Sequence, residues 1–287
     1  MFMTFYNNRT MKTLILFLVA ILFLSVCPMW SQEEEKVNPL TEDRFLIEAG
    51  VYGVTRSFRL GADGESNNGE IDFNEAFDLT DNKPTFFFQA TWRFSKTRKW
   101  AVAFESFGVN AGNSVTLDED IDFEDVTFEK GTFVRAGISF NLYRLYFSRQ
   151  ILNRGNHHMD VGLGVHGLDI GAFVEGEAKT SEGDVEFDRR NINGIIPLPN
   201  IGIGYMWTPH HRWMVGAQVD WFGVTVDQYS GGLWNIAPRA KFQIIRNFGV
   251  GLDYRFFLLN AKVSTENWNG GFDMSFQGPV LSLHGNF

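Results

Sequence analysis

Ten ionisable residues of this 287-residue sequence lie in stretches that alternate apolar and polar side chains. The acids are Glu48, Glu105, Asp160, Asp220 and Asp253; the bases are Arg93, Arg144, Arg239, Lys241 and Arg255. Residues two apart on a strand share a face, so these charges fall together on the face opposite the apolar one. Five of each sign would nearly neutralise one another, and charges taken out of water are tolerable only when paired and hydrogen-bonded. Two chemistries fit such a set: a salt-bridged filling, or a narrow, gated path for small solutes. Long arginines and Phe257 on the same parity would block a small cross-section, which favours the filling.

Nucleophilic and metal chemistry find less support. Ser282, His284 and Glu48 would share one patch if their strands were neighbours, and a serine with a base and an acid is a nucleophile arrangement. That patch would lie at one rim, three residues from Phe287. His157, His158, His210 and His211 fall in short connections, where solvation explains them, and His166 and Asp169 stand on opposite parities. Gly162 to Gly167 match GxGxxG, but a dinucleotide site needs a strand, a tight turn and a helix behind it. Here the glycines fall in mid-strand, where they make room for lumen side chains. Asp118, Asp120, Asp122 and Glu129 occupy positions 1, 3, 5 and 12 of an EF-hand-like frame and are weak Ca²⁺ candidates. Position 6 is Phe123 rather than glycine, and no helices flank the loop. The segment reads as a hairpin, with Ile121 and Phe123 alternating against Val126 and Phe128. No catalytic residue, cofactor or dedicated metal site is expected.

The elements that must carry these charges are strands. Alternation marks 44–60, 84–94, 99–109, 157–174, 212–226 and 248–263, and less cleanly 131–152, 233–246 and 272–286; 195–207 is apolar but holds Pro197 and Pro199. Proline removes a ladder donor, so those two belong at a bulge or beyond the membrane. Short polar connections (95–99, 153–157, 208–212, 246–247) interleave with longer or more polar ones (61–83, 111–130, 175–194, 227–232, 264–271). Ten antiparallel strands then need four short turns at one end and five long loops at the other. An even strand number, short turns, long outer loops and one apolar face are the marks of an up-and-down transmembrane β-barrel. A secreted β-sandwich would leave Phe86, Trp92, Trp213 and Tyr254 needing a second sheet. Near ten strands, side chains fill the interior, whereas open aqueous channels need about 16.

Composition sets the outer limits. Hydrophobic residues make up 44% and aromatics 15%, with 29 Phe, which excludes a disordered chain. A single Cys excludes a disulfide scaffold. A net charge of −9, from 25 bases and 34 acids, argues against nucleic acid as a partner. Leu14 to Val26 is a 13-residue apolar run after Lys12, short of the ~20 residues of a membrane helix. With the small residue Ser31 it reads as a secretory signal. The organisation expected is a signal peptide over 1–31, with 1–10 a mis-called upstream start, a periplasmic lead-in over 32–42, and a barrel over 43–287.

The last strand ends at Phe287, with Leu281 and Leu283 on its parity, which looks like the assembly signal of bacterial outer-membrane barrels. The stretches IDFEDVTFEKGTFV (121–134), GVHGLDI (164–170) and PLPNIGIGYMWTPHHRW (197–213) resemble a family of small outer-membrane proteins of the OmpA/OmpW-like barrel type. The resemblance implies an integral protein of the outer membrane of a Gram-negative bacterium. Its partners would be outer-membrane lipid, lipopolysaccharide and the barrel-assembly machinery, and it brings no reaction with it. The expected role is structural or surface-interacting, with a side-chain-filled lumen. The alternatives are a narrow porin-like channel for small solutes and an outer-leaflet enzyme, protease or lipid A-modifying. An omptin-like protease is the natural ten-stranded comparison, but its paired aspartates and Asp–His pair do not appear on matching loops.

Overall fold

The computed structural model describes residues 38–63, 71–78, 84–118, 120–123, 126–180, 185–227, 229–264 and 269–287; the segment read as an export signal lies outside them. The strands are β1 (Phe45–Tyr52), β2 (Thr55–Asp63), β3 (Ile71–Asp72), β4 (Thr85–Arg93), β5 (Trp100–Thr116), β6 (Ile121–Phe123), β7 (Val126–Phe128), β8 (Phe133–Arg154), β9 (His157–Thr180), β10 (Val185–His210), β11 (Trp213–Val226), β12 (Tyr229–Ile245), β13 (Phe248–Ser264) and β14 (Asn269–Asn286). A helical turn, α1 (Pro39–Glu42), precedes them. β1 and β2 form one wall strand, because both pair with β14. It is interrupted at Gly53-Val54, opposite Pro279, which has no N–H to give the ladder; the Gly53 N–H donates instead to the Pro279 carbonyl at 2.9 Å. Gly278 beside it has φ +153°, and a Cβ there would strike the Gly53 carbonyl, so only glycine fits. The wall runs β1/β2, β4, β5, β8, β9, β10, β11, β12, β13, β14 and closes by antiparallel pairing of β14 with β1. The ten alternating segments all become wall strands of a closed antiparallel barrel.

Which face is apolar changes along each strand. On β8 the inward residues Arg144, Tyr146 and Ser148 are buried, while outward Tyr143, Leu145, Phe147 and Ile151 are exposed. Nearer the other end the pattern inverts: Val134, Ala136, Ile138, Phe140 and Leu142 are buried inside, and Arg135, Ser139 and Asn141 face out. β9 inverts between His166 and Leu168, and β13 between Arg255 and Phe257. Apolar-outside matches hydrocarbon and polar-outside matches water, so the inversion marks the edge of the membrane belt. Crossing takes about 9–11 residues, whereas β9 has 24 and β10 has 26; these strands stand well above the belt. Outward aromatics edge it, as expected of membrane barrels. On the turn side Phe45, Trp92, Phe94, Phe147 and Trp100 form a chain of stacked and tilted rings with centroids 5.1–6.1 Å apart. On the far side stand Trp221 with Trp234, and Tyr254 with Phe256.

The inversion corrects two expectations. Within the polar stretches 175–194, 227–232 and 264–271 the described residues are paired strand, Asp227 apart: β9 and β10 keep register from Val185↔Lys179 to Trp207↔His157, and β12, β13 and β14 pair out to Tyr229, Ser264 and Asn269. They look loop-like because their outward faces are in water. Of the two places expected for Pro197 and Pro199, a bulge or beyond the membrane, the bulge is excluded, since both keep register with β9. β10 pairs with β11 only from Ile201 inward, so the prolines sit where β10 already lacks a partner on its other side. At the far end β6 and β7 pair as a hairpin and β7 pairs with β9; Ile121 and Phe128 of the hairpin are buried, as is Leu117 before it.

The belt assignment has a positional consequence. Leu163→Arg, on the outward face of β9 within the belt, should destabilise the folded barrel in lipid by ~2–4 kcal/mol. Glu177→Arg, on the same face above the belt, should change stability by less than about 0.5 kcal/mol. Equal effects in equilibrium unfolding from vesicles would contradict the belt.

Candidate functional site

The chemistry-bearing side chains lie inside the barrel, in three layers from the turn side outward. The first is a plug built from the end of the polar lead-in. Asn38 caps α1 by accepting the Leu40 N–H at 3.0 Å, while its own amide donates to the carbonyls of His210 and Trp213 at 3.1 and 2.9 Å. Leu40 is fully buried against Leu46, Met206 and Met214. Arg93 donates to the carbonyls of Asp43 and Leu40 at 2.6 and 2.9 Å, holding the segment from the wall. Arg246, in the β12–β13 turn, donates in fork fashion to both Asp43 carboxylate oxygens at 2.6 and 2.8 Å, and Asn286 donates to the same carboxylate. That fork is the main reason the Asp43 carboxyl is held below the usual carboxylate range; the Asn286 bond adds to it, and burial opposes it.

The second layer is ionic and ties distant walls together. Lys241 on β12 pairs with Glu48 on β1, which also accepts from Ser282 at 2.6 Å. Arg255 on β13 pairs across the lumen with Glu105 on β5 and lies over the Phe87 ring at 4.4 Å. Arg144 on β8 grips Asp220 on β11 at 2.7 and 2.8 Å, and Gln218 and Asn235 donate to the same carboxylate at 2.9 and 3.0 Å. Arg144 rests on Tyr146 at 4.3 Å. The Tyr146 ring in turn lies against Gly162 and Gly202, register partners on β9 and β10, where a Cβ would come within 2.8 Å of it. The same ring lies 3.1 Å from where a Cβ on Gly164 would stand, so two of the three GxGxxG glycines make room for it. Asp253 is met more loosely, by Arg239 at 3.9 Å and Arg255 at 3.7 Å.

The third layer is apolar. Phe107, Phe140, Phe257 and Phe276 are buried and in ring contact, with Phe140 and Phe276 4.4 Å apart and Phe140 and Phe257 5.8 Å apart. β8 and β13 are separated by four wall strands in either direction, so the Phe140–Phe257 contact spans the lumen. Phe257, expected to help block the cross-section, does so as part of a whole aromatic layer; above the belt the barrel has the apolar core of a water-surrounded domain.

The structure therefore brings Glu48, Glu105, Arg144, Asp220, Arg239, Lys241, Asp253 and Arg255 together in ion pairs. Arg93 turns to backbone carbonyls, and Asp160 lines a cavity beside it. Ser282 reaches Glu48, but His284 Nε2 bonds Gln243 Oε1 at 3.0 Å and Nδ1 has no hydrogen-bond partner, so no serine–histidine pair forms. His166 is buried inside, 3.8 Å from Asp220, while Asp169 accepts from Asn141 at 3.2 Å. Asp118 and Glu129 are exposed, and Asp120 accepts the Lys130 N–H at 2.7 Å. The Asp122 side chain is outside the described residues; among those described, no group of three or more His, Cys, Asp or Glu side chains is placed to hold a metal. Phe287 is exposed and exchanges backbone hydrogen bonds with Phe45 at 2.8 and 2.9 Å, sealing the seam. The α1 plug escaped sequence reasoning, although Asn38-Pro39 carries its signal: a capping residue followed by proline in the first helical turn.

A closed ten-stranded wall with an apolar belt between aromatic girdles is the architecture of the outer-membrane barrels of Gram-negative bacteria. The chain matches no protein-family profile and no curated protein. Among solved structures it is similar to the outer membrane protease OmpT of Escherichia coli, at 12% identity, covering 90% of this chain and 100% of that one with a TM-score of 0.56. Weaker likenesses are to the toluene transporter TodX of Pseudomonas putida (8% identity, 87% and 92% covered, TM-score 0.36) and to Ail, the attachment invasion locus protein of Yersinia pestis (10%, 83% and 99%, 0.26).

Two outcomes follow from the layers. Arg255→Ala strands Glu105 in the lumen and should cost ~3–5 kcal/mol, read as a lowered unfolding midpoint in detergent, whereas Lys262→Ala at the exposed outer end should leave it in place. Arg246 lowers the folded pKa of Asp43 below its unfolded value of about 4. Its stabilisation is therefore complete above that value and is lost as the pH falls through the lower folded one. The stability gap between the parent and Asp43→Asn should stay constant from neutral to mildly acid pH and close only below the carboxylate range. A gap that closes near pH 6 would assign it to another group.

Proposed function

We propose that the protein serves in the outer membrane of a Gram-negative bacterium as an integral barrel with a structural or surface-interaction role, not as an open pore. The observation that carries this is the aromatic layer: Phe107, Phe140, Phe257 and Phe276 meet across the lumen. The ion pairs and the α1 plug lie below it, so three unlike barriers stand in series. In that role its partners are outer-membrane lipid, lipopolysaccharide and the barrel-assembly machinery. The neighbour OmpT is named a protease, but at 12% identity the likeness is one of fold, and no reaction is part of the role proposed.

Planar-bilayer recording tests it. The intact protein should give little or no steady conductance, and deleting residues 38–42 should open nothing, because the aromatic layer remains. Large, steady conductance from the intact protein would favour the narrow channel, and hydrolysis of peptide or lipid A substrates the enzyme.

A further inference from the structure

On the turn side of the ion-pair layer the lumen holds a partly open chamber of about 100 Å³, room for several waters when one needs ~10–15 Å³. Its lining includes six basic side chains, Arg93, Arg98, Lys99, Arg144, Arg239 and Lys241, and one carboxylate, Asp160. Arg98 and Lys99 are exposed and form its turn-side rim. Three of the bases are engaged by acids elsewhere: Lys241 by Glu48, Arg144 by Asp220 and Arg98 by Glu42 at 3.8 Å. Arg93 and Arg239 are not matched in this way. Arg93 is buried and spends its donors on two carbonyls; among the described residues no carboxylate lies within ion-pair distance of it, and Asp160, across the same chamber, is the one acid of the lining that it shares with Arg239. Arg239 reaches Asp253 only at 3.9 Å, shares it with Arg255, and has a buried Nε with no hydrogen-bond partner.

Uncompensated charge in a low-dielectric interior is costly until an opposite charge arrives, and planar guanidinium forks suit oxyanions. The same charges repel metal cations. We propose that this chamber is a binding site for a small oxyanion, entered from the turn side between Arg98 and Lys99, with Arg93 and Arg239 as its principal donors. Asp160 is the residue that opposes binding and sets its strength. The site stands apart from the structural role argued above, since it lies below the aromatic layer and offers no through path.

Inorganic phosphate is the probe. A ligand that binds only the folded state stabilises in proportion to the logarithm of its concentration above Kd. The unfolding midpoint of the intact protein in detergent should therefore rise with phosphate, and not with sodium chloride of matched ionic strength. Asp160→Asn should lower the phosphate concentration for half effect by about tenfold, and Arg239→Gln should raise it by about tenfold. A purely structural role would not give these opposite signs. Lys262→Gln should leave the response unchanged. Equal shifts from phosphate and chloride, or an unaltered half-effect concentration in Asp160→Asn, would overturn the proposal. Should the variants fail to assemble, equilibrium dialysis of the unmutated protein decides: about one phosphate per chain supports the site, and none removes it.

Discussion

Hydrocarbon offers no hydrogen bonds, and each backbone N–H or C=O left unpaired in it costs several kcal/mol. A sheet in the bilayer must therefore close on itself, and every other feature of this molecule follows from closure. Closing ten strands creates an inside with its own residue set, and the two faces of each strand then answer to different surroundings. Alternation in the sequence is the trace of that division. The seam shows how completely it is enforced: β14 pairs with β1 from Asn286↔Leu46 to Val280↔Tyr52, and Phe287 exchanges two further bonds with Phe45.

Because the wall is closed, polarity can be reversed along a strand without breaking the fold. Within the belt the outside must be apolar, which leaves the inside to polar residues whose charges are satisfied across the lumen. Beyond the belt the outside must be wettable, which leaves the inside to Phe140, Phe257, Phe276 and their neighbours. One strand thus carries two opposite binary patterns joined at a single point, near Leu142 and Tyr143 on β8. That is a stronger constraint on sequence than either pattern alone, and it makes the belt edge readable residue by residue.

The fold was legible in the sequence because alternation of period two survives any environment. The ten strands, the hairpin at 121–128 and the pairing of Glu48 with the His284 strand all follow from it. What failed to show was whatever depends on which medium faces the strand. Residues 175–194 read as loop because Glu175, Glu177 and Arg189 advertise water, yet their backbone is paired throughout its described length. The inward parity of the charged residues was legible; their partners were not. Arg93 lies nearer in sequence to Glu105 than Arg255 does, yet Arg255 takes that acid, since partner choice depends on barrel curvature and side-chain reach rather than spacing. The plug was written in Asn38-Pro39, but a single helical turn leaves no periodicity to find.

The sequence separation of the lumen contacts bears on how the barrel holds itself shut. Lys241 and Glu48 lie 193 residues apart, and Arg246 and Asp43 lie 203 apart. Contacts so distant have their loop-closure entropy met only once the wall has formed, so they consolidate closure rather than initiate it. They are also concentrated at the seam. Glu48 is on β1 and takes a hydrogen bond from Ser282 on β14, while Asp43, two residues before β1, is held by Asn286 at the end of β14 and by the β12–β13 turn. Among the described wall strands the seam is the pair whose members are joined by no local connection, and the Lys241–Glu48 and Arg246–Asp43 pairs stand where such a wall most needs a second tie.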